Sequence, residues 1–580
     1  MSVYKRTDRK AMAEYLSPGV YVEEFESGGK PMEGVGTSTA GFVGLAARGP
    51  VGGVPVLVTN FADFKRNFGG YLSEAEFGQY RFLAYSVEHF FLNGGSRAFI
   101  SRVAPSDAKE SKGVVPADFP VLRISAANPG AWGDDIKIII TPASKAKTQI
   151  LEVLEDAKYK VKKSVGFDAG DVVALRDGDS VVYNKVVKSQ DNIIEFAEPF
   201  SSDCVDKNLV PKITISTCEF NLEAKYDDID EFYSDASFNV SSPNYIESKL
   251  SRSALIKVIV NDIPETDPFV SLAGDKDVVT AELKGGSNGS AKAVTPDTYM
   301  GVDNGPGKRT GIQAFMDNDV VSIMAVPGIT DPNVQLTLVA HCENLASRFA
   351  VLDMDVNLSK TDEIITARNV IDSTYAAMYH PWLTVFDPLD KKNILIPPSG
   401  SVIGIYARSD NSRGVHKAPA NEVVRGCTGL SVPFNKGEQD ILNPKGVNLI
   451  RTFPGQGIRV WGARTASSDP SWKYVNVRRL FIFLEESIKA NTNWVVFEPN
   501  DERLWSRVKR TIDGFLRTMW RDGALAGAAE TDAFFCEIGP STMSQADIDN
   551  GRLICIIGVA PVKPAEFVIF RITQKTGDAE

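Results

Sequence analysis

The sequence predicts a multidomain α/β protein, α+β toward its C-terminal end, in which a β-rich module interrupts the main domain. Three observations predict it. Short apolar strands alternate with helical stretches over 41–120 and again over 291–455, the pattern of a mostly parallel sheet. Between them, residues 121–290 carry strand after strand parted by Asp, Gly and Asn turns, with no long helical period. Residues 456–580 then hold two helices followed by two apolar strands. At 580 residues and 43% hydrophobic content, the chain is too long for one ordinary domain and apolar enough for several cores.

Residues 1–40 read as an extended arm. AEYLSPGVYVEE at 13–24 turns at Pro18-Gly19 and then alternates weakly through Val20, Tyr21, Val22 and Glu23, before a Gly-rich break. An isolated arm cannot offset its ordering entropy, but it can add a strand to an exposed edge on another subunit. From 41 the pattern is strand, Gly/Pro loop, strand, then a helix opened by Asn60 or Asp63. The next helix, over 79–95, places Tyr80, Leu83, Ala84, Val87, Phe90 and Phe91 on one face and ends at Gly94-Gly95. The β-rich module closes with the Gly/Ser-rich loop at 282–297. Strands at 319–329, 349–354 and 381–389, with a helix at 332–348, resume the α/β alternation.

In the last section a helix is expected around 476–490 and another over 501–522. The second buries Leu504, Val508, Ile512, Phe515, Leu516 and Met519 on one side. Arg503, Arg507, Arg510, Arg517 and Arg521 form a stripe on another, which reads as a solvated face or as a charged contact. The final strands are RLICIIGVAP and EFVIFRITQK. In the second, Val568, Phe570 and Ile572 share a face with Glu566.

Composition excludes several function classes. The formal charge of −11, from 63 basic and 74 acidic residues, gives no global basic field to hold nucleic acid. No apolar run approaches the roughly 20 residues of a membrane span, and no secretory signal is legible at the start. The six cysteines are scattered, without a C-x-x-C pair, which fits reduced thiols and synthesis in the cytoplasm.

Three motifs imitate catalytic ones. GTSTAG at 36–41 resembles a subtilisin-type serine motif, but Ser38 precedes every histidine, the wrong order for that triad. GGSNG at 285–289 matches G-x-S-x-G around Ser287, yet its flanks are loop rather than a strand-to-helix turn. GPGKRTG at 305–311 lacks the Ser or Thr after Lys308 that a phosphate loop requires. His89, His341, His380 and His416 have no metal-ligand spacing. No catalytic residue, metal or cofactor is expected.

Several stretches, in this order, resemble the contractile tail sheath family of tailed phages and related contractile injection particles: YLSPGVYVEE, GFVGLAARGPVGGVPVLVTNFADFKRNFG, FFLNGGSRAFISRV, AANPGAWGDDIKIII, RTGIQAFMDNDVVSIMAVPG, VNVRRLFIFLEESIKANTNWVVFEPNDERLWSRVKRTIDGFLRTMWRDGALAG and GRLICIIGVAPVKPAEFVIFRI. Residues 150–290 match least, and their role stays open between a stabilising outer module, host-facing surface and partner docking.

The resemblance implies an arm and linker at 1–40, a subtilisin-like central domain split between 41–120 and 291–455, an outer module at 121–290 and an inner sheath domain at 456–580. Fold and function separate, so a subtilisin-like fold implies no protease. The resemblance further implies that Val20, Tyr21, Val22 and Glu23, with Phe567, Val568, Ile569, Phe570 and Ile572, are exchanged between subunits to complete one sheet. The expected partners are further copies in helically stacked hexameric rings, an inner tube touched by the arginine stripe, and baseplate and tail-terminator proteins, with no nucleic acid bound directly and no membrane insertion. The product would be a virion tail or phage-tail-like particle, a bacteriocin or injection system. Two rival readings are a serine hydrolase on the central domain and a non-contractile surface or adhesive protein.

Overall fold

The computed structural model describes residues 32–569 apart from 117–120, 156, 178–179, 201–212, 262–266 and 275. The expected arm residues Val20, Tyr21, Val22 and Glu23, and Phe570 and Ile572, lie outside the described residues.

The chain is built around a nine-stranded sheet. Its spatial order is Val56–Val58, Ala98–Val103, Ala40–Leu45, Ile323–Ala325, Phe349–Asp353, Ala376–His380, Val447–Phe453, Gly457–Val460 and Glu422–Val423. The strands from Ala98–Val103 to Val447–Phe453 run parallel, and antiparallel pairs finish both ends. Ala40–Leu45, Phe349–Asp353 and Ala376–His380 are buried at every position, as an unbroken apolar strand must be when helices cover both faces. Leu83–Leu92 and Ser399–Arg413 pack into the core on one face, and Pro332–Leu345 into the core on the other. The two helices of the first face meet through Gly400 and Gly404, where a Cβ would lie 2.3 Å from the Ser86 carbonyl carbonyl oxygen and 2.4 Å from that of Phe90.

Two expectations change here. The helix expected over 79–95 spans only Leu83–Leu92. Tyr80 sits in the preceding 3₁₀ turn, Phe91 is half-buried, and Tyr85, Ser86 and His89 are buried along with the predicted face. Burial extends round this helix because another helix covers the side turned away from the sheet. The strand expected at 381–389 also leaves the main sheet. Leu383–Asp387 pairs with Lys392–Ile396 and Gly429–Leu430 in a separate antiparallel sheet, while Ala376–His380 just before it lies in the main sheet between Phe349–Asp353 and Val447–Phe453. Pro381 has no N–H to continue the ladder.

The β-rich module has two parts. Lys112–Val115, Leu122–Ala126 and Ile256–Val260 form one small sheet, and Ile229–Ala236, Glu219–Tyr226, Lys137–Ala143 and Val279–Glu282 form another, over a shared core. Lys112–Val115 thus joins this module's sheet from N-terminal to the expected boundary at 121. Inserted in turn between Ala143 and Glu219, themselves a cross-strand pair, is a closed six-stranded barrel with its own core. The module is tied to the rest at Lys109 and Ser287, which exchange backbone hydrogen bonds of 2.9 and 3.0 Å.

In the C-terminal module, helices Val475–Thr492 and Glu502–Arg521 pack with an antiparallel pair, Phe534–Ile538 and Cys555–Val559. Asp501 caps the second helix, accepting from the Leu504 N–H at 2.8 Å. The stretch expected as a last strand is not one where it is described: residues 566–569 pair with no strand among the described residues.

Candidate assembly surfaces

The strand pair in the C-terminal module alternates as a half-covered sheet should. Phe534 and Cys536, with Cys555, Ile557 and Val559, pack toward the Glu502–Arg521 helix, while Phe535, Glu537 and Ile556 are exposed. The Phe535 ring lies over Gly558, opposite in register, where an added Cβ would meet it at 2.1 Å. Two strands on their own are marginal and need a helix against one face. Among the described residues neither long edge of the pair carries a further strand, so both present backbone groups that can template another.

Both described ends of the chain run close to this module. Residues 33–37 lie along the Val475–Thr492 helix. Glu33 and Asn491 exchange hydrogen bonds, the Val35 N–H donates to Ser487 Oγ at 3.1 Å, and Gly34 packs on the Phe483 ring. Thr37 meets a buried ion pair: Arg479 grips both oxygens of Asp410 at 2.5 and 2.9 Å and donates to the Thr37 carbonyl at 2.9 Å, while Thr37 Oγ1 donates to Asp410 at 2.7 Å.

At the other end Glu566 is clamped. Arg464 reaches its two oxygens at 2.7 and 2.6 Å, Asn443 Nδ2 donates at 2.8 Å, Tyr474 donates at 3.2 Å, and Lys473 stands 3.6 Å away. Immediately beyond, Phe567, Val568 and Ile569 are 74%, 68% and 79% exposed, three consecutive large apolar side chains in water. Burial alone would raise the Glu566 carboxyl, but these donors and the Arg464 and Lys473 charges outweigh it and hold the group down to about 2. Its folded value lies below its unfolded one, so the docking it contributes is fully present above pH 4.5 and is lost as pH falls toward 2. Proteolytic clipping between Glu566 and the module should therefore accelerate between pH 4.5 and 3, and Glu566→Gln should give fast clipping already at neutral pH.

The arginine stripe divides. Arg517 forms a two-pronged pair with Glu530, both contacts at 2.8 Å, and Arg507 stacks over Trp494 at 3.9 Å with Glu498 nearby. Arg503, Arg510 and Arg521 are exposed and make no ion pair among the described residues. In the loop that contacts Arg507, Phe497 is fully exposed at φ +69°, an apolar knob in a backbone conformation that side chains rarely adopt.

The motifs that imitate enzymes are engaged structurally. Ser38 has no hydrogen bond to a histidine among the described residues. Ser287 sits in the strap between core and module, its Oγ accepting from the Gly289 N–H. In GPGKRTG the N–H groups of Gly305 and Gly307 already donate to Asp303 and Asp317, and Arg309 bridges the same two carboxylates, which would repel a phosphate. Burial lowers His89 and His380 to about 4, and burial with the Arg348 charge takes His341 to about 3, so all three are neutral packing groups at neutral pH. Among the described residues no three His, Cys, Asp or Glu side chains are grouped to hold a metal, and no helix is long and apolar enough to cross a membrane.

Sequence reasoning missed Glu566 as an anchor and Arg479 as a junction. A signal for Arg479 exists: two adjacent arginines inside the apolar run VNVRRLFIFL must be buried with partners, as Arg478 and Arg479 are.

An open sheet edge and an exposed apolar tail on a packed body are the features of a structural subunit. Family profiles agree. "Phage tail sheath protein central domain" matches residues 302–466 and "Phage tail sheath C-terminal domain" matches 467–575. The chain is 26% identical over 301 residues to a prophage major tail sheath protein of Pseudomonas aeruginosa (strain UCBPP-PA14), covering 49% of this chain and 75% of that one. It is 26% identical over 308 residues to the tail sheath protein of Burkholderia phage BcepMu, covering 49% of this chain and 61% of that one. The contracted PVC sheath of an extracellular contractile injection system shares the fold, with a TM-score of 0.51 at 21% identity over 96% of this chain and 98% of that one. The chain belongs to the contractile tail sheath family.

Proposed function

We propose that this chain polymerises helically, as stacked hexameric rings, around an inner tube, and that the polymer is held extended in a metastable state until it contracts and drives the tube through a target envelope. The observation that carries this reading is the two-stranded sheet whose long edges carry no further strand among the described residues, together with the exposed apolar stretch Phe567–Ile569. Arms from neighbouring copies, residues around Val20–Glu23 and Phe567–Ile572, complete that sheet. Each added backbone hydrogen bond contributes about 1 kcal/mol net, small for one subunit and large over a whole tube. The joined surfaces differ on the two partners, and such contacts propagate as open helical arrays. Work then comes from assembly energy stored in the extended lattice and released on relaxation. Baseplate and tail-terminator proteins bound the two ends of the array. Electron microscopy of the chain expressed with its tube protein is the test. Striated tubes in a long and a short form support the reading, and monodisperse monomers overturn it.

The inner tube is met by Arg503, Arg510 and Arg521, which are exposed and make no ion pair among the described residues. Exposed ion pairs contribute about 0–1 kcal/mol each, a grip weak enough to release on contraction. Reversing all three to Glu should leave thermal stability unchanged, because none is buried, and should cut co-sedimentation of tube with sheath by about tenfold or more. Raising the salt concentration should weaken the wild-type grip in the same direction.

A further inference from the structure

The terminal sheet carries a second feature that strand exchange does not use. Cys536 and Cys555 stand on its two strands as a diagonal pair, two residues out of direct register, since Cys536 faces Ile557 and Cys555 faces Ile538. Both side chains point to the same covered face, and their sulfurs are 3.4 Å apart. Cys536 is buried, whereas Cys555 is partly exposed and open to a small reagent. The Lys509 ammonium lies against the pair, donating to the Cys536 carbonyl and pairing with Asp513 at 3.2 Å.

We propose that Cys536 and Cys555 form a reversible disulfide that staples the terminal sheet when the protein meets a disulfide oxidant such as oxidised glutathione. Cys555 acts first, because it is the more accessible and because the Cys536 thiol donating to it and the Lys509 charge both favour its thiolate. Its thiolate attacks one sulfur of glutathione disulfide, forming a mixed disulfide and expelling one glutathione thiolate. Cys536 then loses its proton and attacks the Cys555 sulfur, closing the protein disulfide and expelling the second glutathione. The balance is one protein dithiol and one glutathione disulfide giving one protein disulfide and two glutathiones. Side-chain rotation must bring the sulfurs from 3.4 Å to about 2.05 Å. The bond closes a loop containing the Gln545–Asp549 helix and holds together the only two strands this sheet has among the described residues. A reducing compartment keeps it open, and an oxidising one closes it.

The test uses the full chain, purified reduced, equilibrated with mixed glutathione and glutathione disulfide, quenched by alkylation, and digested for mass spectrometry. The expected product is one linked pair of peptides joining Cys536 to Cys555, lighter by two hydrogens than the reduced pair and reopened by dithiothreitol. Cys536→Ser should instead trap glutathione on Cys555, and Cys555→Ser should leave Cys536 free to be alkylated. Amide exchange over 534–538 and 555–559 should slow at least several-fold on oxidation. Persistent glutathione on wild-type Cys555, a linkage to another cysteine, two alkylated thiols throughout, or unchanged exchange overturns the proposal. All these readouts are made on unassembled chain, so they stand or fall separately from strand exchange between copies.

Discussion

A chain truncated after Glu566 folds as the full chain does and forms no polymer. The first half of this result follows from exposure. Phe567, Val568 and Ile569 are two-thirds or more exposed and belong to no strand or apolar core among the described residues, so removing them forfeits almost no described burial. Glu566 stays, and with it the Arg464, Asn443 and Tyr474 contacts that fix the last part of the chain. The melting temperature should move by less than about 1 °C, which for a chain of this size corresponds to about 1 kcal/mol. The second half follows from the proposed linkage. If these residues form a strand on another copy's sheet, their loss removes every backbone bond of that strand at every subunit at once, and a polymer sums those losses. Electron microscopy and sedimentation read the outcome together. Truncated chains that still form striated tubes would remove the C-terminal strand from the linkage. A peptide covering 565–580, added in excess to the full chain, should cap the open edge and shorten the tubes. Deleting residues 1–25 should have the same effect from the other end.

The main sheet was legible because its strands are buried on both faces and therefore read as unbroken apolar runs, as AGFVGL and FAVLD do. The helix at Glu502–Arg521 was legible because its apolar and basic positions keep strict helical spacing. What the sequence concealed depends on register and distance. Alternation in 147–217 predicts strands, but nothing in alternation says that the first and last of them meet and close a barrel. Ala376–His380 escaped notice since the stretch continues into Leu383–Asp387 without any change in composition, and only the proline between them separates two sheets. The candidate surface was half legible. The tail's apolar alternation shows in its residues, whereas the clamp on Glu566 joins side chains 92 to 123 positions away, and no local pattern records that.

Replacing Arg479 by Ala should destabilise the chain by about 3–5 kcal/mol, the cost of leaving a buried carboxylate without its partner. Arg479 and Asp410 are each 3% exposed in their side chains, and Arg479 supplies two of the three hydrogen bonds the structure gives Asp410 from side chains. Only Thr37 Oγ1 would remain. The guanidinium also lies 4.7 Å over the Tyr406 ring, whose hydroxyl is paired with that of Tyr379, so its loss reaches into the core of the central sheet. The effect is large for a positional reason as well. One guanidinium joins the Val475–Thr492 helix of the C-terminal module, the Ser399–Arg413 helix of the central domain and the stretch at Thr37. Denaturant unfolding should show a lowered midpoint, and limited proteolysis should cut near 32–39 faster than in the wild type. The double variant Arg479→Met with Asp410→Leu separates charge from shape, because it removes both charges and keeps the volume. It should recover most of the loss, since replacing both members of a buried pair by apolar groups is often neutral. If neighbouring copies attach at the C-terminal module, force on the central domain passes through this junction. The double variant, stable but without its ionic clasp, should then assemble and fail to hold the extended form, contracting spontaneously on purification.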